Sequence, residues 1–129
     1  MSDTIDIVER ATSNPHFREV LSTGPHSQIV VMMIPPRGEI GEETHDHVDQ
    51  VLVITGGSAD AVLDGDRRRV LAGHLVHVPA GTRHNLVNTG SDDLRLYTIY
   101  APPQHAPGTV HHTRADADAA EAAASTAQA

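Results

Sequence analysis

From residue 17 to about residue 101 the chain is a succession of short β-rich runs cut by Gly, Pro and Asp, and this punctuation limits the fold more than any other feature. The runs read FREVLS, SQIVVMMI, QVLVIT, ADAVLD, RRRVLA, HLVHVP, RHNLVN and LRLYTIYA. Val, Ile and Leu suit a pleated, half-buried surface, and the residues between the runs are turn formers. Asp64–Gly65 joins two runs as a two-residue hairpin loop, since a type I′ turn needs positive φ at both central positions. Gly56–Gly57, Ala72–Gly73, Ala80–Gly81 and Gly90–Ser91 mark further turns. Short runs at this spacing, with no helical segment between them, predict an all-β sandwich or barrel.

The flanks differ from this pattern. DTIDIVERA has Ile5, Val8 and Ala11 at helical spacing, with Asp3 or Thr4 as N-cap, and Ser13–Asn14–Pro15 ends the helix. APPQHAPGTVHHT, after Tyr100, is a proline-rich extended arm expected to pack across the outside or against a neighbouring subunit. RADADAAEAAASTAQA favours helix by its alanines but has no apolar face to bury, so a frayed or disordered end is expected. The expected organisation is therefore a helical segment over 1–15, a barrel with its extended arm over 16–113, and an Ala-rich tail over 114–129.

Composition removes several classes of function. A chain of 129 residues suits one domain. Its aromatics are Phe17, Tyr97 and Tyr100, too few for a stacking platform on single-stranded nucleic acid. A formal net charge of −8 disfavours DNA and anionic membranes as partners, and Arg67–Arg68–Arg69 reads as the solvated face of a strand. The absence of cysteine excludes thiol nucleophiles, disulfides and Cys-based metal sites. All nine basic residues are Arg, so no lysine is available for Schiff-base chemistry. No apolar stretch reaches the length of a membrane span, and MSDTIDIVER lacks a signal-peptide core, so a soluble, cytoplasmic protein is expected.

Two segments carry candidate chemistry. His45 and His47 in GEETHDHVDQ converge on one ion only if the backbone there is extended, because side chains two apart share a side of a strand but diverge on a helix. Imidazole is a frequent ligand for transition metals, yet in a chain with ten histidines such a pair means little alone. The second segment, GHLVHVPAGTRHNLVN, has the form G-x5-P-x-G-x2-H-x3-N on Gly73, Pro79, Gly81, His84 and Asn88. Pro79 and Gly81 shape a turn into a strand whose alternation puts His84, Leu86 and Asn88 on one face.

With these anchors the sequence resembles the cupin superfamily, over most of residues 27–101. The family's first motif is G-x5-H-x-H-x(3,4)-E-x6-G, and its second is the pattern just quoted. The resemblance implies a double-stranded β-helix barrel, or jelly roll, with one divalent metal held by two His and a Glu of the first motif and a His of the second. Here the first motif departs. Gly38 lies one residue too far from His45, Gly41 lies too close, and no Glu follows His47. Gln50, with six residues between it and Gly57, takes the carboxylate's place, with only Val48 and Asp49 between it and His47. Simple alternation would choose Asp49, whereas the family's bend at this point favours Gln50. The implied ligands are His45, His47, Gln50 and His84, with Asp49, or three histidines plus water, as alternatives. The ion would be Zn, Mn, Fe or Ni.

A neutral set of three histidines and a glutamine would leave the ion its full charge, which favours isomerase- or lyase-like Lewis-acid chemistry on a small oxygen-rich metabolite over redox cycling. A non-enzymatic module binding a metabolite or metal, and a cupin dioxygenase, are the alternatives. HVDQ and YAPP resemble proteins labelled mannose-6-phosphate isomerase-like, but Arg37 and Arg83 are the only basic residues near the motifs, and neither makes an obvious phosphate clamp. The base in such chemistry is left open among His26, Asp49 and a tyrosine. Gln28 reads as a pocket group, and Tyr97 and Tyr100 should face opposite sides of their strand. A homodimer is implied by the resemblance, with edge strands or the N-terminal segment covering open sheet edges.

Overall fold

The computed structural model describes residues 3–128, with side chains through residue 124. Helix α1 (Ile7–Ser13) comes first, and Asp6 rather than Asp3 or Thr4 caps it, its carboxylate accepting the Glu9 N–H. Asp3 is engaged elsewhere, as acceptor for the Ser22 hydroxyl. Nine strands follow: β1 (Arg18–Thr23), β2 (Gln28–Ile34), β3 (Asp49–Gly56), β4 (Ser58–Leu63), β5 (Asp66–Leu71), β6 (Leu75–Val78), β7 (His84–Asn88), β8 (Leu94–Ala101) and β9 (Val110–His111). The first eight lie within one residue of the runs read from sequence. Helix α2 (Arg114–Gln128) ends the described chain.

The strands form two antiparallel sheets, ordered β6-β3-β8-β2-β1-β9 and β5-β4-β7. Their inner faces share one core, built by strict alternation. Val30, Met32 and Ile34 of β2 point inward, as do Leu52 and Ile54 of β3, Ala59 and Ala61 of β4, Leu86 of β7, and Leu94 and Leu96 of β8. This is the jelly-roll barrel that the resemblance implies. Asp64 and Gly65 have φ of 48° and 84°, as the hairpin reading requires. Gly57 is obligatory for a second reason: at φ 86° a Cβ there would stand 2.9 Å from the Asp93 carbonyl oxygen.

Both ends of the barrel region are tied down. Helix α1 packs against β2, β3 and β8, with Ala11 fully buried. The extended arm adds β9 to the edge of β1. Where a frayed or disordered tail was expected, residues 114–128 are helical. The Thr113 hydroxyl accepts the Asp116 N–H, Arg114 pairs with Glu39 and Asp118 at 3.6 and 3.5 Å, and Ala117 is buried in the core cluster. The absence of large apolar side chains does not prevent docking, because a single alanine lets the helix backbone close onto the barrel. No helix among the described residues is long and apolar enough to cross a membrane.

Candidate metal centre

The turn at Pro79–Gly81 delivers β7 with His84, Leu86 and Asn88 buried, the face that alternation assigns them. Asn88 ties off the far end: its amide donates to the carbonyls of Ile34 and Asp92, and its oxygen accepts the Gly90 N–H. At the near end, His84 Nδ1 lies 2.9 Å from the Thr82 carbonyl oxygen. A carbonyl only accepts, so Nδ1 carries the proton of the neutral ring and Nε2 presents its lone pair inward. This second bond is the usual orienting device of a metal-bound histidine.

The segment before β3 is laced along β7. Ile40 donates to Leu86 O, Gly41 N–H binds Asn85 Oδ1, and Glu43 and His84 exchange both backbone bonds at 2.9 Å. His45 O then accepts the Gly81 N–H at 2.8 Å. This extended stretch brings Glu43 and His45, two apart, to His84. One ligand atom from each of Glu43, His45 and His84 lies within 4.8 Å of the other two. His45 Nε2 stands 2.9 Å from Glu43 Oε2, off the axis of a ring N–H, so the contact is electrostatic rather than a directed hydrogen bond.

His47 is not brought to this group. The chain turns at Asp46–His47, and the side chain is exposed. The extended backbone that would make His45 and His47 converge ends one residue early. Gln50 does face the interior, in phase with Leu52 and Ile54, while Asp49 is exposed and accepts the Ala80 N–H at 2.8 Å. The Gln50 amide nitrogen donates to Thr98 Oγ1 at 3.1 Å, leaving Oε1 buried.

Glu43 is the residue the sequence reading missed, and the spacing itself contained the signal. Placing the first motif two residues earlier gives Glu43-x-His45-x4-Gln50-x6-Gly57, which removes the short interval after His47. Glu43 then occupies the first histidine's place. Counting six back reaches Arg37, not glycine, yet its φ of 69° keeps the left-handed backbone that the glycine would adopt.

Electrostatics mark the same region. Burial works to raise the Glu43 carboxyl, but the His45 ring beside it and the charge of Arg18 outweigh this and hold it below the usual carboxylate range. Burial pushes the Tyr100 phenol up to about 12, against the opposing pull of Arg18, so it stays a proton donor. Burial, reinforced by Arg18, pushes His105 down to about 3, so its imidazole is neutral. Tyr100 lies between the two imidazoles, its ring centroid 6.2 Å from that of His45 and 5.1 Å from that of His105. Tyr97 faces outward beside Ile5, Ile7, Ile29 and Ile99. Gln28 is a structural group, its amide donating to Thr23 Oγ1 and His105 O and its oxygen accepting from the N–H groups of Gln104 and His105.

The residues fit a cation. Among the described residues five buried side-chain polar atoms lack a hydrogen-bond partner, and three of them are His45 Nε2, His84 Nε2 and Gln50 Oε1. Such orphans are rare and costly, and a divalent ion beside the Glu43 carboxylate would satisfy the two histidine nitrogens grouped with it. The donors are N and O only, a set suited to Zn, Mn, Fe or Ni.

Comparison with known proteins agrees with the fold and motifs. The uncharacterized protein YrkC of Bacillus subtilis is 45% identical over 121 residues, covering 88% of this chain and 65% of its own length. The uncharacterized protein L612 of Acanthamoeba polyphaga mimivirus is 38% identical over 110 residues, covering 82% of this chain and 69% of its own. This chain thus spans about two thirds of those relatives. The crystal structure of BH2720 from Bacillus halodurans superposes with a TM-score of 0.91 at 38% identity, over 92% of this chain and 95% of that one. The cupin domain family model matches residues 30–100, more than half the chain and reaching from within β2 to within β8, and on that match the protein belongs to the cupin family.

Proposed function

We propose that this protein binds one divalent transition metal through Glu43, His45 and His84, with Gln50 Oε1 as a fourth donor, and uses it on a small oxygen-rich metabolite. The observation that carries the reading is the convergence of two buried imidazole nitrogens, neither with a hydrogen-bond partner, on one carboxylate. A cation held there supplies Lewis acidity toward a carbonyl or carboxylate oxygen. Around it, this chain's own groups manage protons. The Tyr100 phenol remains protonated and can donate a hydrogen bond, while the neutral His105 ring lines the cleft beside Glu43 and His45.

The charge argument changes with the ligand set. Glu43 supplies the negative charge that a neutral set of three histidines and a glutamine would lack, so that set no longer separates Lewis-acid from redox chemistry. Isomerase- or lyase-like chemistry keeps only the support of the ion's polarising effect on a substrate oxygen. A sugar-phosphate substrate gains no support from Arg83, which is exposed and pairs with Glu42 at 3.0 Å. One observation favours a second reading, binding without turnover. His26 is exposed, Asp49 is tied to Ala80, and Tyr100 is held protonated, so none of the three bases read from sequence is placed to act.

Elemental analysis of the purified, untagged protein tests the metal. One transition metal per chain is expected, retained in His47→Ala and reduced to below about a tenth in His84→Ala and Glu43→Gln. A metal-free protein of full stability, or loss of metal in His47→Ala alone, would overturn the reading.

A further inference from the structure

Arg18 is the one arginine among the described residues that is buried, at 1% exposure. Alternation along β1 turns it inward with Val20, beside Met32 of β2 and His111 of β9. An enclosed guanidinium needs partners for its five N–H groups, and those present are few. Nη1 lies 3.3 Å from His111 Nδ1, the guanidinium is also within hydrogen-bonding reach of the Tyr100 phenol, its carbon lies 5.3 Å from the Phe17 ring centroid, and Nε has no partner. One further contact comes from α2: Glu121 Oε1 approaches Nη1 to 3.9 Å, from a side chain that is more than half exposed.

Two of these neighbours, His111 and Glu121, border a cleft of about 620 Å³ and separate it from Arg18, which lies behind them. Glu43 and His45 line it together with His105, His111, Ala120 and Glu121. Glu43 and His45 therefore share one space with the two residues that flank Arg18, and α2 forms part of its wall. The Glu121 carboxylate sits poorly there. Burial and the Glu43 charge raise its carboxyl above the ordinary value, outweighing the attraction of Arg18. A resident carboxylate at 3.9 Å, with Nε still unpartnered, leaves the two-pronged pairing that arginine offers a carboxylate unmade.

We propose that the cleft takes a short carboxylic acid bearing a second oxygen on the adjacent carbon, a 2-hydroxy or 2-oxo acid. Its carboxylate pairs with Arg18, displacing Glu121, and its second oxygen points to the Glu43–His45–His84 group. Glu121 thus acts as a built-in competitor, carried on a helix anchored to the barrel through Ala117. The substrate class rests on the metal reading above, but the Arg18 contact does not need the metal.

Calorimetric titration with glycolate, and with its neutral analogue glycolamide, tests this on the full chain, both as stripped by a chelator and as reloaded with one equivalent of Mn²⁺. Glycolate is expected to bind once per chain in both forms, and glycolamide about tenfold more weakly or worse in the stripped form, where charge recognition falls to Arg18. Glu121→Gln should tighten glycolate by about threefold. Arg18→Met should weaken it by about tenfold or more, and Arg18→Lys should recover part of the loss. If the buried Arg18 variants do not fold, the Glu121→Gln result decides. Equal affinity for glycolate and glycolamide in the stripped protein, or no change in Glu121→Gln, overturns the proposal. Metal content is read on the same samples. Glycolate binding that depends on Arg18 in a chain taking up no metal supports this inference and removes the metal reading alone. One bound metal with no preference for glycolate in the stripped form does the reverse.

Discussion

Burial holds the His105 imidazole down at about 3, with the Arg18 charge adding to the effect, and this has a consequence for stability. The folded value lies below the ordinary histidine value, so between the two the unfolded chain binds a proton that the folded chain does not. The His105 contribution is therefore complete above about pH 6.5 and is lost as pH falls toward 3, with a slope of at most about 1.4 kcal/mol per pH unit. Glu43, held below its ordinary carboxylate value, adds a loss at lower pH, because the unfolded chain then takes up a proton first. Denaturant unfolding from pH 7 to 4 should show falling stability, with a shallower decline in His105→Asn. An identical decline in that variant would contradict the assignment. The same residue scale explains what sequence reading could see of the site. His84 was legible because Pro79, Gly81 and alternation fix its direction without reference to anything else. His47 misled because an exposed turn at residues 46–47 looks, in sequence, like the extended pair it interrupts. Arg18 went unseen because a charged residue in an apolar strand ordinarily faces water, and only the barrel's closure shows that it does not.

Among the elements, α2 departs furthest from expectation. The eight runs were readable because each alternates apolar and polar residues between turn residues, and the barrel rewards that alternation on every strand. The tail has no such pattern. Its docking depends on the Thr113 cap, the Arg114 pairs and one buried methyl group at Ala117, all too slight to register as an amphipathic face. Those contacts also set how easily the wall of the cleft moves. Replacing Ala117 with Asp places a carboxylate in the core cluster, and α2 should detach while the barrel stays folded. Hydrogen exchange across residues 114–124 should then rise by about tenfold or more, with β3 and β8 unchanged. Unchanged exchange in that segment would show that Ala117 does not hold the helix.

At the scale of the whole molecule, the Glu43–His45 stretch, the extended arm and α2 wall a cleft that carries the Glu43 and Glu121 carboxylates. The Arg18 charge acts on Glu43, Tyr100 and His105 alike. The surface is acidic overall, at a net charge of −8, so an anionic ligand gains nothing from long-range attraction and depends on the enclosed arginine for recognition. The metal reading, by contrast, stands or falls with the location of the ion. Anomalous diffraction from crystals of the metal-loaded protein measures that location directly. A single peak is predicted within about 2.0–2.3 Å of a Glu43 carboxylate oxygen, His45 Nε2 and His84 Nε2. A peak shared by His45 and His47, or an ion that leaves Glu43 unbound, would contradict it.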